Sequence, residues 1–251
     1  MLDDKNELLL RLGDSALILS QRLTEWCGKA PALEEDMALA NVGLDLIGQA
    51  RMWLSYAAEL EGLGRDEDQL AFLRDAHDFR NLLLVEQPNG SYADTLVRQF
   101  FFDTWHQLTL EGLARSVDTR MADIAEKALK EVRYHVRRSG DLIVRLGDGT
   151  VESHARVQSA VDDLWMYTGE MFTGDEVDDV MAAQAVAPAP ETLRDAWLAH
   201  VEQVLNEATL SMPPRDAWMQ SGGKQGRHGE AMGYLLAEMQ FLQRAYPGAQ
   251  W

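Results

Sequence analysis

Between Met37 and Ala58 the chain runs for twenty-two residues with no proline and only two charged side chains, Asp45 and Arg51, although 25% of the sequence is charged. Leu39, Val42, Leu46, Ala50, Trp53 and Leu54 fall at helical spacing within this stretch, which is apolar almost all round. Such a helix is expected at the centre of a core. Asn41, Asp45 and Gln49 stand four residues apart on it and form one polar ridge. A carboxylate in a core must be paired, hydrogen-bonded, protonated or bound to a metal. Inward-facing carboxylates on packed helices are the ligands of di-iron bundles, so Asp45 raises the question of a working site.

The rest of the chain is patterned the same way. A leucine stripe runs from Glu7 to Trp26 and is closed by Gly28 and Pro31. A charged connector, Gly62 to Gln69, leads to a short helical piece ended by the turn Pro88-Asn89-Gly90. Further helices are expected from a Ser91 cap to about Arg115, from Asp118 or Thr119 to about Leu146, over His154–Phe172, Asp175–Met181 and Glu191–Leu210, and from Glu230 to about Arg244. The stretch Ala182–Pro190 is the best linker candidate. No alternating run with hairpin turns suggests a strand. The expectation is an all-α chain forming a single domain over 1–251, with a loop and a terminal helix at about 211–251.

A net charge of −18 leaves no basic stripe able to neutralise phosphates, so nucleic acid is not an expected partner. The single cysteine, Cys27, excludes an internal disulfide and a cysteine metal cluster. The acidic start lacks the basic flank of a signal peptide, and no segment offers about twenty uninterrupted apolar residues. A cytoplasmic protein with no membrane segment is expected.

A di-iron bundle takes a Glu from each of two helices and a Glu-x-x-His pair from each of two others. Here only Asp103 and His106, in FDTWH, place an acid three residues before a histidine. Glu131 and His135, in KEVRYH, are four apart, with Tyr134 at the ligand position, and Asp45 is followed at that spacing by Gly48. The bland readings are a hydrogen-bonded Asp103–His106 pair in the core and a surface Glu131–His135 pair beside Lys130, Arg133, Arg137 and Arg138. Those cations would compete with a metal for the carboxylates. The glycine-rich SGGKQGRHG could offer amides, Lys224, Arg227 and His228 to a phosphate, but without a long helix or strand behind it a mobile or interface loop is the stronger reading.

Several segments together, RLGDSALILSQRLTEWCGKAP, ALANVGLDLIGQAR with LSYAAEL, NLLLVEQPNGSYADT, KEVRYH, NEATL and LAEMQFLQR, resemble the C-subunit family of the bacterial ring 1,2-phenylacetyl-CoA epoxidases, from Leu10 to Trp251. The resemblance implies a ferritin-like helical bundle with additional C-terminal helices. It implies a structural, non-catalytic chain that pairs as a heterodimer with a di-iron A subunit, in a complex with a small B subunit and a reductase carrying NADPH, flavin and iron–sulfur chemistry. No cofactor is expected in this chain itself. Asp45, Asp103, His106, Glu131 and His135 are then degenerate metal-site positions. The resemblance also implies contacts with phenylacetyl-CoA, at or near the A/C interface, from Asp78, Phe79, Arg80 and Asn81 and from Asp179, Val180 and Met181. The competing expectation is an active di-metal carboxylate oxygenase with irregular ligands.

Overall fold

The computed structural model describes residues 2–249. Eleven α-helices follow one another among them, joined by turns and short 3-10 segments, with no strand: α1 (Leu2–Thr24), α2 (Leu33–Glu61), α3 (Glu67–Phe72), α4 (Leu83–Glu86), α5 (Tyr92–Leu113), α6 (Thr119–Gly147), α7 (Val151–Trp165), α8 (Glu176–Ala183), α9 (Arg194–Glu207), α10 (Glu230–Met239) and α11 (Phe241–Ala245). Local chemistry sets most of their ends. Asp118 accepts the Met121 N–H at the start of α6, Thr150 and Ser153 close a capping box on α7, and Asp175 accepts from Val177 and Asp178 on α8. Ser91 directs its amide and hydroxyl onto Asp94 at the start of α5. Gly62 ends α2 in the left-handed conformation, φ 68°, its N–H returning to the Ala58 carbonyl.

Two compact units share the chain. One comprises the chain up to Pro88 together with the segment from Gly222 onward; the other is Asn89–Ser221. The Ala182–Pro190 stretch therefore marks no boundary: it lies inside the second unit, where the Pro188 ring abuts α5 so closely that a Cβ on Gly112 would fall 2.4 Å from it.

In the first unit α1 and α2 pack along their length. Gly13 permits the approach, because a Cβ there would lie 2.7 Å from Leu54 Cδ2, and Ser20 Oγ donates to the Gly43 carbonyl at 2.8 Å. Fully buried Asp14 on α1 ion-pairs with Arg74 and accepts the Arg80 N–H at 2.8 Å, tying the loop before α4 to the helix. The chain then returns at Gly222. Gln240 donates to the Ala71 and Arg74 carbonyls at 3.0 Å each, and Arg244 donates to Phe72, Arg74 and Asp75.

The second unit is built round α5, whose Phe100, Phe101 and Phe102 are all buried. Trp197 of α9 sits 5.6 Å from Phe101, 5.7 Å from Trp165 and 5.2 Å from Phe172 between ring centroids, and its indole N–H donates to the Phe101 carbonyl at 3.0 Å. Each such ring removes enough apolar surface from water to contribute about 1.5–3 kcal/mol. The helix expected over His154–Phe172 starts earlier and stops at Trp165; Gly169–Phe172 winds instead as a 3-10 turn.

Helix α2 departs from the expected central core helix. Leu39, Val42, Leu46, Ala50, Trp53 and Leu54 are buried, but Leu33, Met37, Leu44 and Ile47 are exposed, as is Asn41. Asp45 is half-buried and Gln49 buried, so the polar ridge climbs from solvent into the core rather than lying inside it. An apolar circumference shows that a helix can be covered on every side; it does not show that this chain does the covering.

Candidate functional site

On α5 the residues Gln99, Asp103 and His106 share one face at spacings of four and three, and α6 brings His135 and Ser139 to the same interior; all five are buried. Asp103 is satisfied by neutral donors. Gln99 Nε2 donates to its Oδ1 at 2.6 Å and Ser139 Oγ to its Oδ2 at 3.1 Å. Burial pushes its carboxyl up to about 6, against the opposing pull of His135, the two hydrogen bonds and Arg138. His106 packs against the Phe102 ring, 4.9 Å between centroids, and its buried Nδ1 meets no hydrogen-bond partner. Burial first, then the neighbouring His135, pushes it down to about 3, so it is a neutral imidazole.

Two readings of the sequence are corrected by this geometry. Asp103 and His106 are not a hydrogen-bonded pair: the acid turns to Gln99 and Ser139. His135 is not a surface residue, being 1% exposed, while Glu131 is half-buried. Gln99, four residues before Asp103, and Ser139, four after His135, are the members that a search for acid–histidine pairs passes over.

The donor set does not fit a di-metal centre. Asp103 is oriented by one neutral donor on each oxygen, and among the described residues no three His, Cys, Asp or Glu side chains come together as a possible metal-holding group. Asp45 lies on α2, in the first unit.

Of the residues linked by resemblance to acyl-CoA, Phe79 and Asn81 are fully buried in the first unit. Arg74 lies 4.4 Å over the Phe79 ring, and the Asn81 amide donates to Glu86 Oε2 at 3.0 Å. Asp78 and Arg80 are half-buried, Arg80 pairing with Glu7 at 3.1 Å. In the second unit Asp179 is exposed, Val180 half-buried and Met181 fully buried.

The outer face of α2 carries a row of exposed apolar side chains. Leu33, Met37, Ala40, Leu44, Ile47 and Arg51 alternate at spacings of four and three, the 3.5-residue period of knobs-into-holes packing. Leu33 is 73%, Met37 60%, Leu44 65% and Ile47 45% exposed, and a Cβ on Gly48 would meet nothing within 4 Å. A continuous aliphatic seam of this kind in water marks a contact surface. It is aliphatic; the exposed Trp218, Tyr234, Phe241 and Tyr246 lie on other segments.

No helix of the described residues is long and apolar enough to cross a membrane. Comparison with known proteins agrees with the helical pattern. The chain is 55% identical over 242 residues, 96% of its own length and 97% of the relative's, to the C subunit of the 1,2-phenylacetyl-CoA epoxidase of Escherichia coli (strain K12). The family model described as phenylacetic acid catabolic protein matches residues 2–251, and the chain belongs to that family.

Proposed function

We propose that this chain is the non-catalytic structural subunit of a multicomponent oxygenase that epoxidises the aromatic ring of phenylacetyl-CoA, with the di-iron chemistry in a partner subunit and electrons delivered by a reductase. The observation that carries this reading is Asp103. The carboxylate on the inward face shared with His106 accepts from Gln99 and Ser139, hydrogen bonds that serve the fold. The α2 seam supports the other half of the proposal, because its 3.5-residue period suits a helix of a bundle partner. In the first unit, contact with the acyl-CoA would come from Asp78 and Arg80, whose side chains reach the surface above buried Phe79 and Asn81; in the second, from Asp179 and Val180 beside buried Met181. The chain works in the cytoplasm, alongside a small B subunit.

Metal analysis and co-purification test this reading. The chain alone is expected to hold far less than one iron and to show no oxygenase turnover, and the double variant Met37→Glu/Leu44→Glu to lose the catalytic subunit on co-purification with its own unfolding midpoint nearly unchanged. Stoichiometric iron in the isolated chain overturns the non-catalytic role. Full co-purification and turnover with the double variant overturn the seam.

A further inference from the structure

From Gly222 on, the loop SGGKQGRHG is built into the first unit. Gly223 and Lys224 are buried, and Gly226, at φ 73°, lies so close to the preceding loop that a Cβ would fall 2.1 Å from the His77 carbonyl oxygen. Two residues on, the His228 side chain is 3% exposed. Its Nδ1 lies 2.7 Å from Glu86 Oε2 and its Nε2 lies 3.1 Å from the Phe79 carbonyl. Glu86 also accepts the Gly229 N–H at 2.6 Å and the Asn81 amide at 3.0 Å, donors that suit a carboxylate.

A carbonyl and a carboxylate only accept, so a ring held between them needs a proton on each nitrogen. A neutral imidazole in either tautomer would turn one lone pair on another in a site closed to water. We propose that His228 is an imidazolium latch, which pins the C-terminal segment from Gly222 to α11 onto the loop 77–86 and releases it as pH rises.

The charges around the ring favour this. Glu86 at the end of α4 and Asp14 on α1 are the anions facing it; Arg74 is engaged by Asp14, Arg80 by Glu7, and Arg22 donates to the Glu86 carbonyl at 2.7 Å. Lys224, Arg227 and Glu230 flank the ring on its own segment. Burial opposes the charged form, but the Glu86 hydrogen bond and charge, the Phe79 carbonyl and Asp14 outweigh it, and the His228 pKa is raised above its ordinary 6.5. A histidine raised on folding contributes stability fully below its unfolded value and loses it as pH climbs through the folded one, so the latch opens on the alkaline side. Opening uncovers the His77 carbonyl, against which Gly226 now lies.

Nitrogen-15 spectra of the side chain in the full-length protein at pH 7 should show both His228 nitrogens protonated; a single neutral tautomer overturns the proposal. Amide exchange, corrected for its intrinsic rate, should show protection over residues 230–240 falling about tenfold between pH 6.5 and 9, with α5 unaffected. His228→Gln should abolish that difference. A flat profile in the parent protein, or an undiminished one in the variant, overturns it equally.

Discussion

Asp103 and His106 sit three residues apart in one interior, and burial drives them in opposite senses. For an acid raised on folding the ionised form is disfavoured in the native state, so a destabilising contribution grows as pH rises from about 4 and is complete above about 6. Asp103→Asn keeps the size and can satisfy Gln99 and Ser139, with the Gln99 amide turned over. It should raise stability by about 3 kcal/mol at pH 7.5 and by almost nothing near pH 3, as read from denaturant midpoints. His106 is neutral when folded, and the unfolded chain takes up a proton below 6.5, so stability falls as pH drops from 6.5 toward 3. His106→Gln should remove roughly 3 kcal/mol of the loss the parent suffers between pH 6.5 and 4, measured by the same titration. At this scale half of the site was legible in the sequence. FDTWH and KEVRYH pointed to the right residues, but whether an acid meets a metal, a histidine or an amide depends on which helix lies opposite, and Ser139 enters only through the packing of α6 on α5.

Glycines separate helix faces that touch neighbours from faces left open. Gly147 closes α6 where a Cβ would fall 2.5 Å from the Ala208 carbonyl oxygen, whereas Gly48 on α2 has nothing within 4 Å. Alanine gains up to about 1 kcal/mol over glycine inside a helix. Gly48→Ala should therefore stabilise the isolated chain by roughly 0.5–1 kcal/mol. Gly147→Ala gains no more from propensity and must displace backbone, so a net loss of about 1–3 kcal/mol should lower its thermal midpoint. Element boundaries were readable where caps are local at Asp118 and Asp175, which satisfy amides two or three residues away, but not at Thr150, which caps a helix expected to begin only at His154. The exposure of α2 was not, since its residues are equally apolar on the covered and uncovered sides.

As a whole molecule the chain is an all-α member of the ferritin-like class with a charge of −18. Like charge keeps copies apart at low salt and is screened within about 10 Å at 0.1 M and 3 Å at 1 M. Isolated protein should sediment as a monomer in dilute buffer and self-associate in 1 M salt through its uncovered seam, and Met37→Glu/Leu44→Glu should stay monomeric in both. The latch shows where whole-chain reading stops. Glu86 and His228 are 142 residues apart, and neither carries a local mark of the other. That separation also has a meaning in time. At 5–20 residues per second, roughly 7–30 s pass between the synthesis of Glu86 and that of His228 and Gly229. For that interval the nascent α1–α4 segment holds a carboxylate whose later-made donors do not yet exist, so the first part of the protein to leave the ribosome is among the last to be completed.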